Sequence, residues 1–246
     1  MLTSIVYRMA PIITKWFDEN YGRHLIKGFL GNIYEPSVIL DLGAGKGNDL
    51  AIAASSFPLA NLYAIESYPP DQSLLKQNGI KVVELDIERC KLPFENESVD
   101  IVIINQVLEH TKDVFWILSE SSRVLKCGGS LIIGVPNLAA WHNRVMLLLG
   151  IQPPAIATMS CHVRGFTRND LQATLETGSG NKLKVVESLS AGFYPFPPLV
   201  ARKLAYFLPN LGWSVHVRVN KIGSYHDEFL VLARSLNETN FFAGGN

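Results

Sequence analysis

Cysteine is scarce in this chain: three in 246 residues. Cys90, Cys127 and Cys161 stand far apart and form no C-x-x-C pair. That spacing argues against a cysteine-built zinc module, and the odd count argues against a secreted disulfide framework. No metal is expected. Charge imbalance is also missing, since 22 Lys and Arg face 22 Asp and Glu. A duplex nucleic-acid binder would carry a basic excess, so no nucleic-acid partner is expected. No apolar run approaches the ~20 residues of a membrane span; the longest, Ile101–Ile104 and Val145–Gly150, are short. Met1–Pro11 holds Arg8 and no apolar stretch of signal-peptide length. A reduced, cytoplasmic enzyme or binding protein is the expectation. Zero formal charge with a mean hydropathy of +0.16 hints at a partnered or greasy surface. Apolar residues at 48% against charged ones at 18% exclude disorder, and a chain this long closes a core without staples.

What is present is an alternation. Val38–Leu42 is a β-branched run ending in glycines and reads as a buried strand. Asn48 is a candidate N-cap for a helix over Asp49–Phe57, which Pro58 stops. Leu62–Ile65, Val82–Leu85, Val99–Ile104 and Leu131–Val135 read as further strands, with helices over Ser73–Asn78 and Val114–Leu125. Strands and helices in this order predict an α/β fold with a parallel sheet covered on both faces. Past Pro136 the alternation loosens. Leu138–Leu149 reads as a helix, and Thr167 with Asp170 resembles a capping box opening a helix to Glu176. Lys184–Leu189 and Glu228–Ala233 are expected as the last two strands. The long stretch between them is rich in proline and aromatics, and it reads as an insert over Ser190–Gly223.

The most informative stretch is Asp41-Leu42-Gly43-Ala44-Gly45-Lys46-Gly47-Asn48. A strand that runs into small residues and then a helix lets backbone approach a ligand closely. The spacing is G-x-G-x-G, not the G-x-G-x-x-G of dinucleotide folds, and Asp41 directly precedes it. A carboxylate there suits a cationic ligand and would repel a pyrophosphate. Glu66 follows the second strand about 20 residues further on, where an acid accepts both ribose hydroxyls. Asp86 stands at the end of the third strand, placed to accept from an adenine amino group. Strand ends of an open α/β sheet share one edge, so the three acids are expected to face one crevice. A cationic head, a ribose and an adenine without phosphate describe S-adenosylmethionine. Nicotinamide-dependent redox chemistry is disfavoured by the same residues.

The segments VILDLGAGKGND, LYAIES, VVELDIE, LPFENESVDIVIINQVLEH and RVLKCGGSLIIGVPN resemble, in order and spacing, class I S-adenosylmethionine-dependent methyltransferases. Within these the chain is similar to the type 11 group, with some likeness to its MetW-like branch. The resemblance is strong over about residues 34–137 and loose over 141–167. It implies a Rossmann-like sheet of seven strands in the order 3-2-1-4-5-7-6, strand 7 antiparallel. It assigns Asp41, Gly43 and Gly45, with Ala44 between them, to the methionine end of the cofactor. Glu66 then serves the ribose, Asp86 with Ile87 the adenine, and Asn105 with Gln106 the neighbourhood of the sulfonium. Lys46 departs from the small or polar residue usual in that loop, and is expected to face solvent.

Methyl transfer is an in-line displacement at an activated carbon, so orientation matters more than a universal catalytic residue. His162, on a loop before the capped helix, is the candidate general base for a hydroxyl or amine acceptor. Arg164 reads as a carbonyl cap and His110 as a packing residue, while Trp141, His142 and Arg144 are candidates for the acceptor pocket. Tyr7–Tyr21, Asn137–Phe166 and Ser190–Gly223 are expected to cap the sheet edge. In domain terms, 1–33 is an N-terminal helical cap, 34–236 the methyltransferase domain with insertions near 137–166 and 190–223, and 237–246 a loose tail. Within 190–223 an amphipathic helix is expected around Leu199–Leu208, as lid, bilayer contact or packed core. The acceptor class read from the chain is a small molecule, glycan or lipid-linked compound methylated at oxygen, with peripheral membrane contact as an option. The alternative is a nonenzymatic cofactor-binding partner protein that uses the 190–223 segment as an interaction surface.

Overall fold

A computed structural model describes residues 20–236. The expectations for 1–19, most of the N-terminal cap, and for the 237–246 tail lie outside the described residues. Helix α1 (Arg23–Leu30) leads into β1 (Val38–Leu42), α2 (Asn48–Ser56), β2 (Asn61–Ile65), α3 (Pro69–Gln77) and β3 (Lys81–Val83). The chain continues through β4 (Val99–Asn105), α4 (Val114–Val124), β5 (Leu125–Pro136), α5 (Trp141–Leu148) and α6 (Arg168–Gly178). It closes with β6 (Leu183–Ala191), α7 (Pro198–Phe207), β7 (Ser214–Lys221) and α8 (Glu228–Ser235). None of these helices is long and apolar enough to cross a membrane.

The sheet order is β3-β2-β1-β4-β5-β7-β6, with β7 antiparallel to both neighbours and the other pairings among β1–β5 parallel. Strand alternation sends Ile39, Ile101, Ile103 and Ile132 to one face, where Ile26 and Phe29 of α1, Leu50 of α2 and Leu75 of α3 cover them. The opposite face sends Leu40, Val102, Ile104 and Ile133 against α4, α6 and α8 through Ile117, Leu175 and Phe229. Both faces are buried, which is why the central strands read as continuous apolar runs. Asp100 starts the sheet by accepting from Ser37 N and Val38 N at 3.0 and 2.9 Å while pairing with Lys126 at 2.7 Å.

Three sequence expectations need correction. Glu228–Ala233 is not a strand but the body of α8, and it buries Phe229 alone. The last strand is β7, inside the stretch read as an insert, and its Val215, Val217 and Val219 are fully buried. What the 190–223 stretch holds outside the two strands is the β6–β7 connection that carries α7. Helix α2 begins without the expected Asn48 cap: Gly47 precedes it at φ 78° and supplies no side chain. The Thr167 cap does form, its Oγ1 accepting from Asp170 N at 3.2 Å.

Candidate functional site

The carboxyl ends of β1, β2 and β4 meet at one edge. The glycine loop leaves β1 with Gly43, Gly45 and Gly47 all at positive φ. At Gly43 a β-carbon would come within 2.8 Å of Val107; at Gly45 it would meet nothing within 4 Å. Gly45 therefore opens onto the crevice, leaving its backbone bare to a ligand. Gly43 N and Ala44 N donate to Ile65 O at 2.8 and 3.2 Å, which fastens the loop to the end of β2. Glu66 then bridges the two turns: Oε2 accepts from Gly45 N at 2.7 Å and Oε1 from Tyr68 N at 2.8 Å. Each oxygen keeps a lone pair for a further donor. Lys46 is exposed, as expected.

Asp41 is 2% exposed, and its Oδ2 has no hydrogen-bond partner. Burial, then the neighbouring Asp49, hold its pKa well above the usual carboxylate value; Arg23 opposes them and Glu66 adds to them. Asp49, also buried, accepts from Arg23 Nε at 3.0 Å and from Asn105 Nδ2 at 3.1 Å. Asn105, Gly134 and His216 lie in register across β4, β5 and β7. A β-carbon at Gly134 would stand 2.2 Å from Asn105 Oδ1 and 2.6 Å from His216 Nδ1. Those two atoms are themselves buried and unpartnered. Gly22 is needed for the same reason, since a β-carbon there would collide with His216 Nε2. Gln106 adopts φ 59°, a strained conformation for a non-glycine residue, while its N donates to Gly134 O at 2.8 Å and its Nε2 is buried without a partner.

The structure thus unites Asp41, Gly43, Ala44, Gly45, Glu66, Asn105 and Gln106. Asp86, expected at the adenine, stands on the segment that follows β3. Strand β3 ends at Val83, and the exposed Asp86 carboxylate accepts from Glu88 N at 2.9 Å and faces Arg89 at 3.6 Å. Ile87 is half-buried against the core. His162 sits on the cap loop with its ring centroid 4.7 Å from that of His110. Burial, with the charge of His110 second, pushes its pKa down. Arg164 does cap a carbonyl, donating to Lys112 O at 3.0 Å. Trp141 Nε1 donates to Tyr194 O, and the His142 ring stacks edge-on to Tyr194 at 5.5 Å, its pKa lowered by burial to about 4.

Sequence reasoning missed Asp49, Glu109 and His216. Asp49 reads as an ordinary first-turn acid until Arg23 and Asn105 converge on it. Glu109 is 2% exposed, with burial raising its pKa to about 7. Its one sequence signal is an acid set within the apolar Val107–Leu108 turn. Elsewhere, a cleft of about 710 Å³ between residues 91–96, α4 and α8 holds Arg123 already paired with Glu120 at 2.7 Å, so its charges serve the fold.

Residues 40–133 match the family model described as a methyltransferase domain. A malonyl-[acyl-carrier protein] O-methyltransferase of Hahella chejuensis is 27% identical over 170 residues, 63% of this chain and 61% of that one. The chain spans about half the length of the curated relatives it matches first. Among solved structures, an S-adenosylmethionine-dependent methyltransferase from Thermotoga maritima superposes with a TM-score of 0.59 at 18% identity, covering 89% of this chain and 98% of that one. The 1,6-didemethyltoxoflavin-N1-methyltransferase of Burkholderia thailandensis does so at 0.56 and 17%, covering 90% and 87%. At these identities the superpositions establish the fold. Together with the family match and the glycine loop they lead to one assignment: residues 40–133 form a class I S-adenosylmethionine-dependent methyltransferase domain of the type 11 family.

Proposed function

We propose that this chain transfers a methyl group from S-adenosylmethionine to an oxygen of a small-molecule, glycan or lipid-linked acceptor. One observation carries the cofactor half of the reading: a buried carboxylate, Asp41, with an orphaned oxygen, stands beside a glycine cradle open at Gly45. Asp41 feels two further acids, Asp49 and Glu66, and one guanidinium, Arg23, which is paired with Asp49. Such a surplus favours a cationic ligand and disfavours phosphate. The donor set fits the cofactor. Asp41 would hold the cationic methionine end, and the bare backbone at Gly45 would admit it. The free lone pairs of Glu66 would accept from the ribose. Asn105 Oδ1 and Gln106 Nε2 are left to orient the reactive end. When bound, S-adenosylmethionine supplies a methyl carbon activated by a sulfonium, which an aligned nucleophile displaces in line. His162, the general-base candidate, stands on the loop before α6 with its ring against His110 and its Nδ1 without a hydrogen-bond partner, which leaves that nitrogen able to accept a proton from an acceptor.

The acceptor half rests on the cap. Helix α7 faces the fold with Ala201 and Ala205 and turns Leu199 (81% exposed) and Phe207 (74% exposed) outward. Leu147, Leu148 and Leu149 at the end of α5 are exposed as well, and Arg144 and Phe207 line one cleft. Apolar patches of this kind mark binding surfaces, and they favour an apolar or lipid-linked acceptor over a free polar metabolite. The test is transfer of labelled methyl from S-adenosylmethionine into pools of hydroxylated small molecules, glycans and lipid-linked glycans. Label in an acceptor, stable to base as an ether, supports the reading. A folded, cofactor-binding protein that labels no acceptor pool would favour the nonenzymatic partner instead.

A further inference from the structure

Three side chains able to ligate a metal, from two distant parts of the sequence, meet at the cap loop. His110 ends the 3-10 turn Leu108–His110 that follows β4, while Cys161 and His162 lie on the loop before α6. One ligand atom of each lies within 4.8 Å of those of the other two. His110 directs Nδ1 to residue 161, 3.3 Å from the Cys161 carbonyl oxygen, and Nε2 to the Glu109 carboxylate at 3.9 Å. Glu109 is almost wholly buried, and its Oε2 has no partner. His162 Nδ1 is also buried and unpartnered. Two orphaned polar atoms beside a cluster of two imidazoles and a thiol leave a pairing requirement that the protein alone does not meet. At 3.9 Å the Glu109 carboxylate is too far from Nε2 for a hydrogen bond but near enough to favour a bound cation, and an ion would take His110 Nδ1 in place of the Cys161 carbonyl. His110 and Cys161 are exposed, so a hydrated ion reaches the cluster from solvent.

We propose that His110, Cys161 and His162 bind a divalent cation of the zinc class, with a fourth position left to water or another small donor. Nitrogen and thiolate ligands select zinc or cobalt over magnesium or calcium, and three protein ligands with one open position are a usual zinc set. Cys161 binds as the thiolate, its proton passing to solvent, so affinity rises with pH. The ion strengthens a seam already present, where Val163 N and Arg164 N donate to Glu109 O at 2.8 and 3.3 Å. The cysteine spacing that argued against zinc considers cysteines paired with one another; here the partners are histidines, one of them about 50 residues away across the fold.

Cobalt titration of the chelator-stripped full chain tests the site. The expected result is one Co²⁺ per chain with a thiolate-to-metal charge-transfer band, displaced by Zn²⁺, and a raised melting temperature with either ion. Cys161→Ser should abolish the band, and His110→Ala or His162→Ala should weaken binding by at least about tenfold. Cys90→Ser and Cys127→Ser should leave it intact. A protein with an intact melt and no charge-transfer band would overturn the proposal. So would a band that survives Cys161→Ser. Binding of S-adenosylhomocysteine to the same stripped sample is measured alongside, so failure of the metal site is distinguishable from failure of the cofactor reading.

Discussion

Glu66 joins two jobs that a conservative substitution separates. Its carboxylate fastens Gly45 N and Tyr68 N, at 2.7 and 2.8 Å, and offers its remaining lone pairs to the ribose. Glu66→Gln replaces one acceptor with an amide donor facing a backbone N–H. We expect S-adenosylhomocysteine affinity to fall by about 1.5–3 kcal/mol, roughly tenfold to a hundredfold, with a lowered melting temperature. Calorimetry beside a thermal melt checks both. An unchanged affinity with a lowered melt would make Glu66 a loop fastener only. His216 makes a second prediction. Burial, then the charge of His24, pushes its pKa down to about 3, so the folded protein refuses a proton that the unfolded chain accepts below 6.5. Its contribution to stability is therefore full above pH 6.5 and is lost as pH falls towards 3, on the order of 4–5 kcal/mol in all. His216→Gln should flatten the fall in denaturation midpoint between pH 6.5 and 4. Parallel curves for the two proteins would contradict this.

Among the elements, the β6–β7 connection decides where the fold stops and the cap begins. Asn137, wholly buried, holds that boundary: its N donates to Trp213 O at 2.8 Å, and its Nδ2 donates to Asn210 O and Gly212 O at 3.1 and 2.8 Å. Replacing residues 196–207 by a flexible linker of equal reach spares those bonds. It should leave S-adenosylhomocysteine affinity within about twofold while abolishing methyl transfer. Replacing 190–223 removes β7, whose three buried valines contribute ~1.5–3 kcal/mol each against a total stability of about 5–15 kcal/mol. That variant should not fold. Circular dichroism and calorimetry on both replacements check the pair, and turnover in the first would return α7 to packing alone. The same strand shows where sequence stopped informing. The strand–loop–helix of VILDLGAGKGND was legible because both faces of β1 are buried and its glycines follow directly. Strand β7 hides its valines between His216, Arg218 and Asn220, whereas the continuous Phe229–Leu232 run of α8 imitates a buried strand. Asp41, Glu66 and the glycines were readable from order along the chain. The Arg23–Asp49–Asn105 network and the His110–Cys161–His162 cluster were not, because each forms only once the topology closes.

Across the whole sequence, charge is distributed with one consequence for function. Formal charge sums to zero, yet the carboxyl edge of the sheet gathers buried acids, of which Asp41 has its pKa raised by burial and by Asp49. A cationic ligand favours the ionised form of Asp41, so binding should release a proton wherever that carboxyl is protonated in the free protein. Affinity should accordingly weaken as pH falls and protons compete for the carboxylate. Titration calorimetry of S-adenosylmethionine and S-adenosylhomocysteine, repeated in buffers of different ionisation enthalpy and across pH, is the most direct measurement. Micromolar binding of both ligands, about −8 kcal/mol, is expected. Proton release should accompany it, and Asp41→Asn should abolish that release. No heat with either ligand from folded protein, or binding indifferent to pH and to Asp41→Asn, would contradict the assignment of this crevice.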